Sequence, residues 1–165
     1  MTGRYDQDNS LAVDEDIQWK LSAFDALSVR ELHDVLQLRS DIFVVEQDCV
    51  FLDLDGADPQ AVHLLGYARN GGALLAYARC LPAGVKFAEA SVGRVAVRRS
   101  ARGRSLGHVL IERAVSSVCA LWGRQPIRIG AQAQLEMFYG GHGFVSAGKL
   151  YVEDGIDHLE MVWRP

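Results

Sequence analysis

The sequence predicts one α/β domain, of the α+β kind, built on a mixed, twisted sheet flanked by helices, and three observations carry that prediction. Strand-like and helix-like segments follow one another in the order strand, helix, hairpin, strand, helix, strand, helix, strand pair. Asn70-Gly71-Gly72 joins two strand-like runs, and Asn and Gly accept the positive φ that a tight hairpin turn needs. Between 91 and 121 a buried strand feeds directly into a long amphipathic helix. Val95, Ala96 and Val97 suit an interior strand, while Leu106, Val109, Leu110, Ala114, Val118 and Leu121 recur at three- and four-residue spacing. A chain of 165 residues fits a single domain at the usual ~150 residues each.

Taken in order, residues 1–16 are polar and acidic without an apolar segment and read as a loose tail, which leaves 17–165 as the domain. Residues 17–22 form a first strand with Trp19 and Leu21 on one side. Ser28 and Glu31 make a capping box that starts a helix at Ser28. Leu32, Val35, Leu36 and Phe43 give that helix its apolar face, and Arg39 interrupts the stripe. A loop at 46–59 carries acids, and 62–69 with 73–81 form the hairpin. After the central strand and helix come a strand at 127–131 and a short helix through Phe138 and Tyr139. That helix ends near Gly140-Gly141, where glycine caps are favoured. Residues 144–152 and 158–163 close the domain as a hairpin around Glu153-Asp154-Gly155.

Composition narrows the function classes. A hydrophobic share of 49% with 23% charged residues is that of a soluble globular protein, and no apolar run approaches the ~18 residues of a membrane span. Three widely spaced cysteines, Cys49, Cys80 and Cys119, fit reduced thiols in the cytoplasm and neither a disulfide framework nor a zinc site. A net charge of -4 argues against a general nucleic-acid binder, and the signs are segregated. Residues 40–68 contain no Lys or Arg but hold Asp41, Glu46, Asp48, Asp53, Asp55 and Asp58, while Arg94, Arg98, Arg99, Arg102 and Arg104 cluster ahead of the long helix. Asp53, Asp55 and Asp58 do not make a calcium loop, because Gly56 is misplaced and Leu64 stands where a bidentate Glu belongs.

The turn Arg102-Gly103-Arg104-Ser105-Leu106-Gly107 feeds a helix N-terminus, whose unpaired N–H groups and partial positive charge suit an anion. A surface turn with solubilising arginines is the alternative for those six residues alone. The stretch resembles the acetyl-CoA pyrophosphate motif of the GNAT N-acetyltransferases, with Arg102 and Gly107 at its first and last positions. Ser105 stands at the middle glycine and, as a non-glycine, is expected to take ordinary helical dihedrals. The element order resembles the same superfamily from about Trp19 onward. Three further segments resemble its ElaA-like branch: Leu38-Arg39 with 43–47, Asp53, Asp55 and His63; Gly130-Ala131-Gln132-Ala133 with Phe138-Tyr139 and Gly143-Phe144; and 153–156 with His158 and Met161.

The resemblance implies a cleft between the central strand and the strand at 127–131, occupied by acetyl-CoA as cosubstrate, with no metal. It places Val95, Ala96 and Val97 along the pantetheine, and a backbone N–H of Val95 or Val97 against the developing oxyanion. One such donor is worth about 3 to 4 kcal/mol. Arg102, Gly103, Arg104, Ser105, Leu106, Gly107 and His108 would hold the pyrophosphate end, and Gln132 takes the place of a pantetheine-binding Asn. Tyr139 matches the tyrosine that protonates the CoA sulfur; a core tyrosine with a bonded hydroxyl is the other reading. Glu46 is the candidate base, against a solvated loop carboxylate, and Arg39, Asp55, His63 and His158 would line an acceptor pocket. The partners are then acetyl-CoA and an amine-bearing acceptor, small molecule or protein. No nucleic acid or membrane is involved, and monomer against homodimer stays open. A CoA-binding regulatory domain without turnover is the rival, and an acyl-homoserine-lactone-type synthase is disfavoured by the short chain.

Overall fold

The computed structural model describes residues 13–165. Seven strands form one sheet: β1 (Ile17–Ala23), β2 (Val62–Ala68), β3 (Leu74–Leu81), β4 (Ala90–Val97), β5 (Ile127–Gln132), β6 (Phe144–Glu153) and β7 (Ile156–Trp163), in the spatial order β1-β2-β3-β4-β5-β7-β6. Only β4 and β5 run parallel, and every other neighbour is antiparallel. The parallel pair follows from chain order, since the long helix carries the chain from β4 to β5, while β2–β3, β3–β4 and β6–β7 join chain neighbours as antiparallel pairs.

Helix α1 (Val29–Arg39) starts at the expected box: Ser28 Oγ accepts the Glu31 N–H, and the Glu31 carboxylate accepts the Ser28 N–H. It passes into a π-helical turn over Ser40–Glu46. Val35, Leu38 and Ile42 supply its buried face; Leu36 is only half-buried, and the Arg39 side chain lies wholly inside. Helix α2 (Leu106–Trp122) packs on the opposite face of the sheet through Leu106, Val109, Leu110, Ile111, Ala114 and Val118. Leu121 is 41% exposed, and Leu21 of β1 also points to solvent. Helix α3 (Glu136–Gly140) lies on the α2 side of the sheet, where Tyr139 joins the main core.

Two cores result. The larger, under α2, gathers Ala76, Ala78, Val92, Ile127, Ile129, Leu159 and Met161 from the sheet; the smaller, under α1, gathers Leu65, Leu74, Tyr77 and Ala96. Strand alternation therefore divides β4, with Val95 and Val97 turned to the α2 side and Ala96 to the α1 side. Residues 13–16 belong to the fold and not to a loose tail: Val13 packs on the large core, and the Asp14 carboxylate accepts from Trp19 Nε1 at 2.7 Å and from Arg113. The rest of the tail lies outside the described residues. No helix among the described residues is long and apolar enough to cross a membrane.

Candidate active site

Strands β4 and β5 pair at Ala90–Ile127 and Ser91–Arg128 and nowhere beyond, although β4 continues to Val97 and β5 to Gln132. They therefore part into an open wedge. Four residues past the last pair, Val95 stands on one wall and Gln132 on the other. A bulge shapes the β4 wall: Gly93 pairs with Arg79 and Ala96 with Tyr77, so Arg94 and Val95 together oppose Ala78. Arg94 takes φ +49, a left-handed conformation rare outside glycine. The Arg98 N–H donates to Leu75 O of β3 at 2.7 Å, so alternation turns the N–H groups of Val97 and Val95 away from β3 and into the wedge.

The turn ahead of α2 stands at the mouth of the wedge. Gly103 has φ +80 and Ser105 φ +62, and the N–H groups from Gly103 to Gly107 have no acceptor among the described residues. Such a run of outward N–H groups is an anion nest at a helix N-terminus. The expectation for Ser105 is thus corrected: it adopts the left-handed conformation of the glycine it replaces, at a cost of about 1–2 kcal/mol. A Cβ added to Gly107 would sit 3.7 Å from the Phe138 ring and 3.9 Å from Val97, so anything larger than a methyl group would fill the passage. Arg104 and Leu106 also line a cavity of about 270 Å³ shared with Arg69 and Leu75.

Arg102 is turned across this mouth. Its Nε donates to Val97 O at 3.0 Å, and its two terminal nitrogens donate to the Glu46 carboxylate at 2.6 and 3.2 Å. Glu46, expected on the acceptor side as a base, is instead the partner of a cofactor-motif arginine. The Arg102 hydrogen bonds hold its carboxyl below the ordinary glutamate value, which weakens it as a proton acceptor. His108 shares a 2.8 Å hydrogen bond with His142 and lies 4.7 Å from the Phe138 ring. Gln132 donates to Gln47 Oε1 at 3.0 Å and accepts from Gln134, so its amide ties β5 to the segment after the π turn.

Burial pushes the Tyr139 phenol up to about 12, and its ring meets Phe138 and Phe144 edge-on. Its hydroxyl has no hydrogen-bond partner among the described residues. Of the fully enclosed polar side-chain atoms described, only Arg79 Nε lacks a partner, so the Tyr139 hydroxyl keeps an accessible edge. A structural core tyrosine would have its hydroxyl bonded.

The acidic segment is paired with arginines. Arg39 donates to Asp53 at 2.9 Å and to Asp58 at 2.8 Å; Arg79 donates to Asp55 at 2.7 Å and to Asp58 at 2.9 Å; Arg94 donates to Asp53 at 2.7 Å. Arg39 and Arg79 are essentially inaccessible. The carboxylates therefore neutralise buried guanidinium groups, and the two hydrogen bonds from Arg79 hold the Asp55 carboxyl far below its usual range. His63 is also buried, bonded to Tyr77 at 2.8 Å and to Asp58 O at 3.0 Å. Arg39, Asp55 and His63, expected to line an acceptor pocket, are joined through Asp58 and the arginines into one ion-pair and hydrogen-bond network. Arg79 and Arg94 belong to the same network, and the sequence signal for them was a charged residue inside an otherwise apolar strand.

His158 alone of the expected acceptor residues stands on the β5–β7–β6 ladder, on its face away from α2, with a side chain only 12% exposed. It pairs with Gln132 on one side and Tyr151 on the other, and its ring stacks on Tyr151 with centroids 5.5 Å apart. Cys49 Sγ donates to Asp154 O at 3.3 Å, bringing the segment after the π turn against the β6–β7 turn.

The Acetyltransferase (GNAT) domain profile matches residues 60–165, more than half of the chain. The chain belongs to the GNAT acetyltransferase family. Protein ElaA of Escherichia coli is 37% identical over 147 residues, 88% of this chain and 95% of that protein. A UPF0039 protein of Synechocystis is 36% identical over 149 residues, 90% and 96% of the two chains. Among solved structures, an acyl-CoA N-acyltransferase from Pseudomonas aeruginosa superposes with TM-score 0.84 at 38% identity, covering 89% of this chain and 99% of that one. The E. coli ElaA crystal structure gives 0.82 at 36%, covering 90% and 99%. Acyl transfer from an acyl-CoA to an acceptor is the chemistry of this GNAT fold.

Proposed function

We propose that the protein transfers the acetyl group of acetyl-CoA to an amine by direct attack in a ternary complex. The observation that carries this reading is the wedge between β4 and β5, with the Val95 and Val97 N–H groups turned into it and the Gly103 to Gly107 nest at its mouth. The residues fit the group they would hold: the nest and Arg104 take the pyrophosphate, Gly107 leaves the passage clear, and Val95 to Val97 offer an unpaired strand edge to the pantetheine amides. Bound there, acetyl-CoA supplies an activated thioester.

The chain supplies the rest. The Val95 N–H, aimed by the bulge, hydrogen-bonds the oxygen that gains charge when the amine attacks, and because it is already oriented it costs no reorganisation. Tyr139 stays protonated at neutral pH because burial raises its phenol, and its hydroxyl gives a proton to the departing sulfur. Glu46 holds Arg102 across the mouth, and the clasp must open or shift as the pyrophosphate is seated.

The test is thiol release from acetyl-CoA in the presence of a panel of primary amines, with acetylated product identified by mass. Amine-dependent release with a matching N-acetyl product supports the reading. Tight acetyl-CoA binding without release for any amine would favour a CoA-binding regulatory domain.

A further inference from the structure

We infer that His158 is the base that accepts the acceptor's proton, through Nε2, and that Glu153 holds the acceptor as its ammonium ion, so the substrate class is a cationic primary amine. This rests on the acetyltransferase reading above. The first observation is position. Gln132 stands at the height of Val95 across the wedge, and His158 is its neighbour in the ladder, one strand away from the gap. Leu159 and Met161 occupy the core under α2, so His158 projects to the other face, the same face on which Gln132 reaches Gln47.

The second observation is the tautomer. His158 Nδ1 lies 2.8 Å from Ile156 O, and a carbonyl oxygen only accepts, so Nδ1 carries the ring proton. Nε2 is then the lone-pair nitrogen, and stacking on Tyr151 fixes the ring plane. The third is charge. Nε2 lies 3.8 Å from a Glu153 carboxylate oxygen that is half-exposed and takes no other ion pair among the described residues. Glu160, two residues along the same face, is instead neutralised by Arg128 and Lys149. The charged and titratable groups around His158 are thus Glu153 and Tyr151 from β6 and Glu160 on its own strand, with Lys86, between β3 and β4, close enough to Glu153 to interact with its charge, while β5 presents the neutral Gln132.

The proton account closes. Glu153 receives the ammonium, His158 Nε2 takes one proton from it, and the freed lone pair forms the C–N bond as the C–S bond breaks. The second proton lost by the nitrogen replaces the one Tyr139 gives to sulfur. His158 then releases its proton to solvent, so one proton leaves per turnover.

The experiment compares wild type with His158→Asn, which keeps a donor near the Nδ1 position for Ile156 O and deletes Nε2. Thiol release is followed from pH 6 to about 9.5 with benzylamine, lysine methyl ester and putrescine, and acetyl-CoA binding is measured by calorimetry. The expected result is unchanged acetyl-CoA binding, a kcat about 100-fold lower at pH 7, and recovery toward wild type as the amines lose their proton in solvent. Glu153→Gln should raise the amine KM several-fold and leave kcat in place. Wild-type kcat in His158→Asn at pH 7 overturns the proposal, as does a deficit that does not shrink with pH. Thiol release with other amines but with none of these three overturns the substrate class, whereas failure to bind acetyl-CoA, or binding without release for any amine of the wider panel, overturns the proposed function itself.

Discussion

The Asp53 carboxylate accepts Arg94 Nε at 2.7 Å through one oxygen while its other oxygen accepts from Arg39. A buried acid in the loop thus ties the end of α1 to the bulge that aims the Val95 N–H. Arg94 Nη2 adds a bond to Asp53 O at 2.9 Å, and its guanidinium lies 5.7 Å from the Phe51 ring centre, so the left-handed backbone at Arg94 is held from outside the strand. Removing one partner strands a charge that burial has already stripped of water. Asp53→Ala should cost about 3–5 kcal/mol, read by urea denaturation. A loss below ~1 kcal/mol would mean that water reaches Arg39 and the network is loose.

Gly107→Glu should abolish the rise in melting temperature that acetyl-CoA gives, about 2.7 kcal/mol of stabilisation at a hundredfold excess over Kd. The side chain would enter the passage between Phe138 and Val97 and bring negative charge to the nest. Gly107→Ala meets only ordinary contacts and should keep most of the shift. Equal shifts in both variants would place the cofactor elsewhere.

Tyr139→Phe should lower single-turnover acetyl transfer by about 100-fold with acetyl-CoA affinity unchanged, since the ring and its contacts with Phe138 and Phe144 remain. Because burial pushes the phenol up to about 12, no loss of rate from its ionisation is expected below pH 10. A basic limb near pH 8 that vanishes in the variant would contradict this.

The Glu46–Arg102 clasp makes stability depend on pH. Arg102 lowers the Glu46 pKa in the folded protein, so the pair stabilises at pH values above the ordinary carboxyl pKa of ~4.3 and that contribution fades as pH falls through the depressed folded value. Glu46→Gln should therefore narrow its stability gap to wild type as pH drops from 6 toward 3, measured by melting at each pH. The gap is expected to be small, because both side chains are partly exposed.

Much of the fold was legible because its determinants are local. The Ser28–Glu31 box, the Asn70-Gly71-Gly72 turn and the spacing from Leu106 to Val118 each act within a turn or two of chain. Leu121 misled because periodicity marks a face without marking where the core ends. The candidate site was legible at the turn ahead of α2, which is contiguous in sequence. The segments expected to face an acceptor are instead placed by pairs separated by 14, 19 and 56 residues, Arg39 with Asp53 and Asp58, and Glu46 with Arg102. No periodicity encodes such partners, and a run of acids without Lys or Arg looks like a surface for cations until its distant arginines are seen to fold into it. Ser105 escaped because a left-handed serine leaves no compositional trace.

The π turn at Ser40–Glu46 makes chain length a design variable in its own right. A π turn closes its hydrogen bonds over five residues where an α turn uses four, so it takes up one residue more without breaking the helix. Everything downstream is rotated accordingly: Glu46 arrives at Arg102, and Gln47 at Gln132. Deleting a single residue from that turn would let the helix run on as ordinary α and carry Glu46 and Gln47 off their partners with every side chain still present. The rim of the cleft is thus set by phase as well as composition, and a relative aligned across this turn with a one-residue gap would aim different side chains into the same opening.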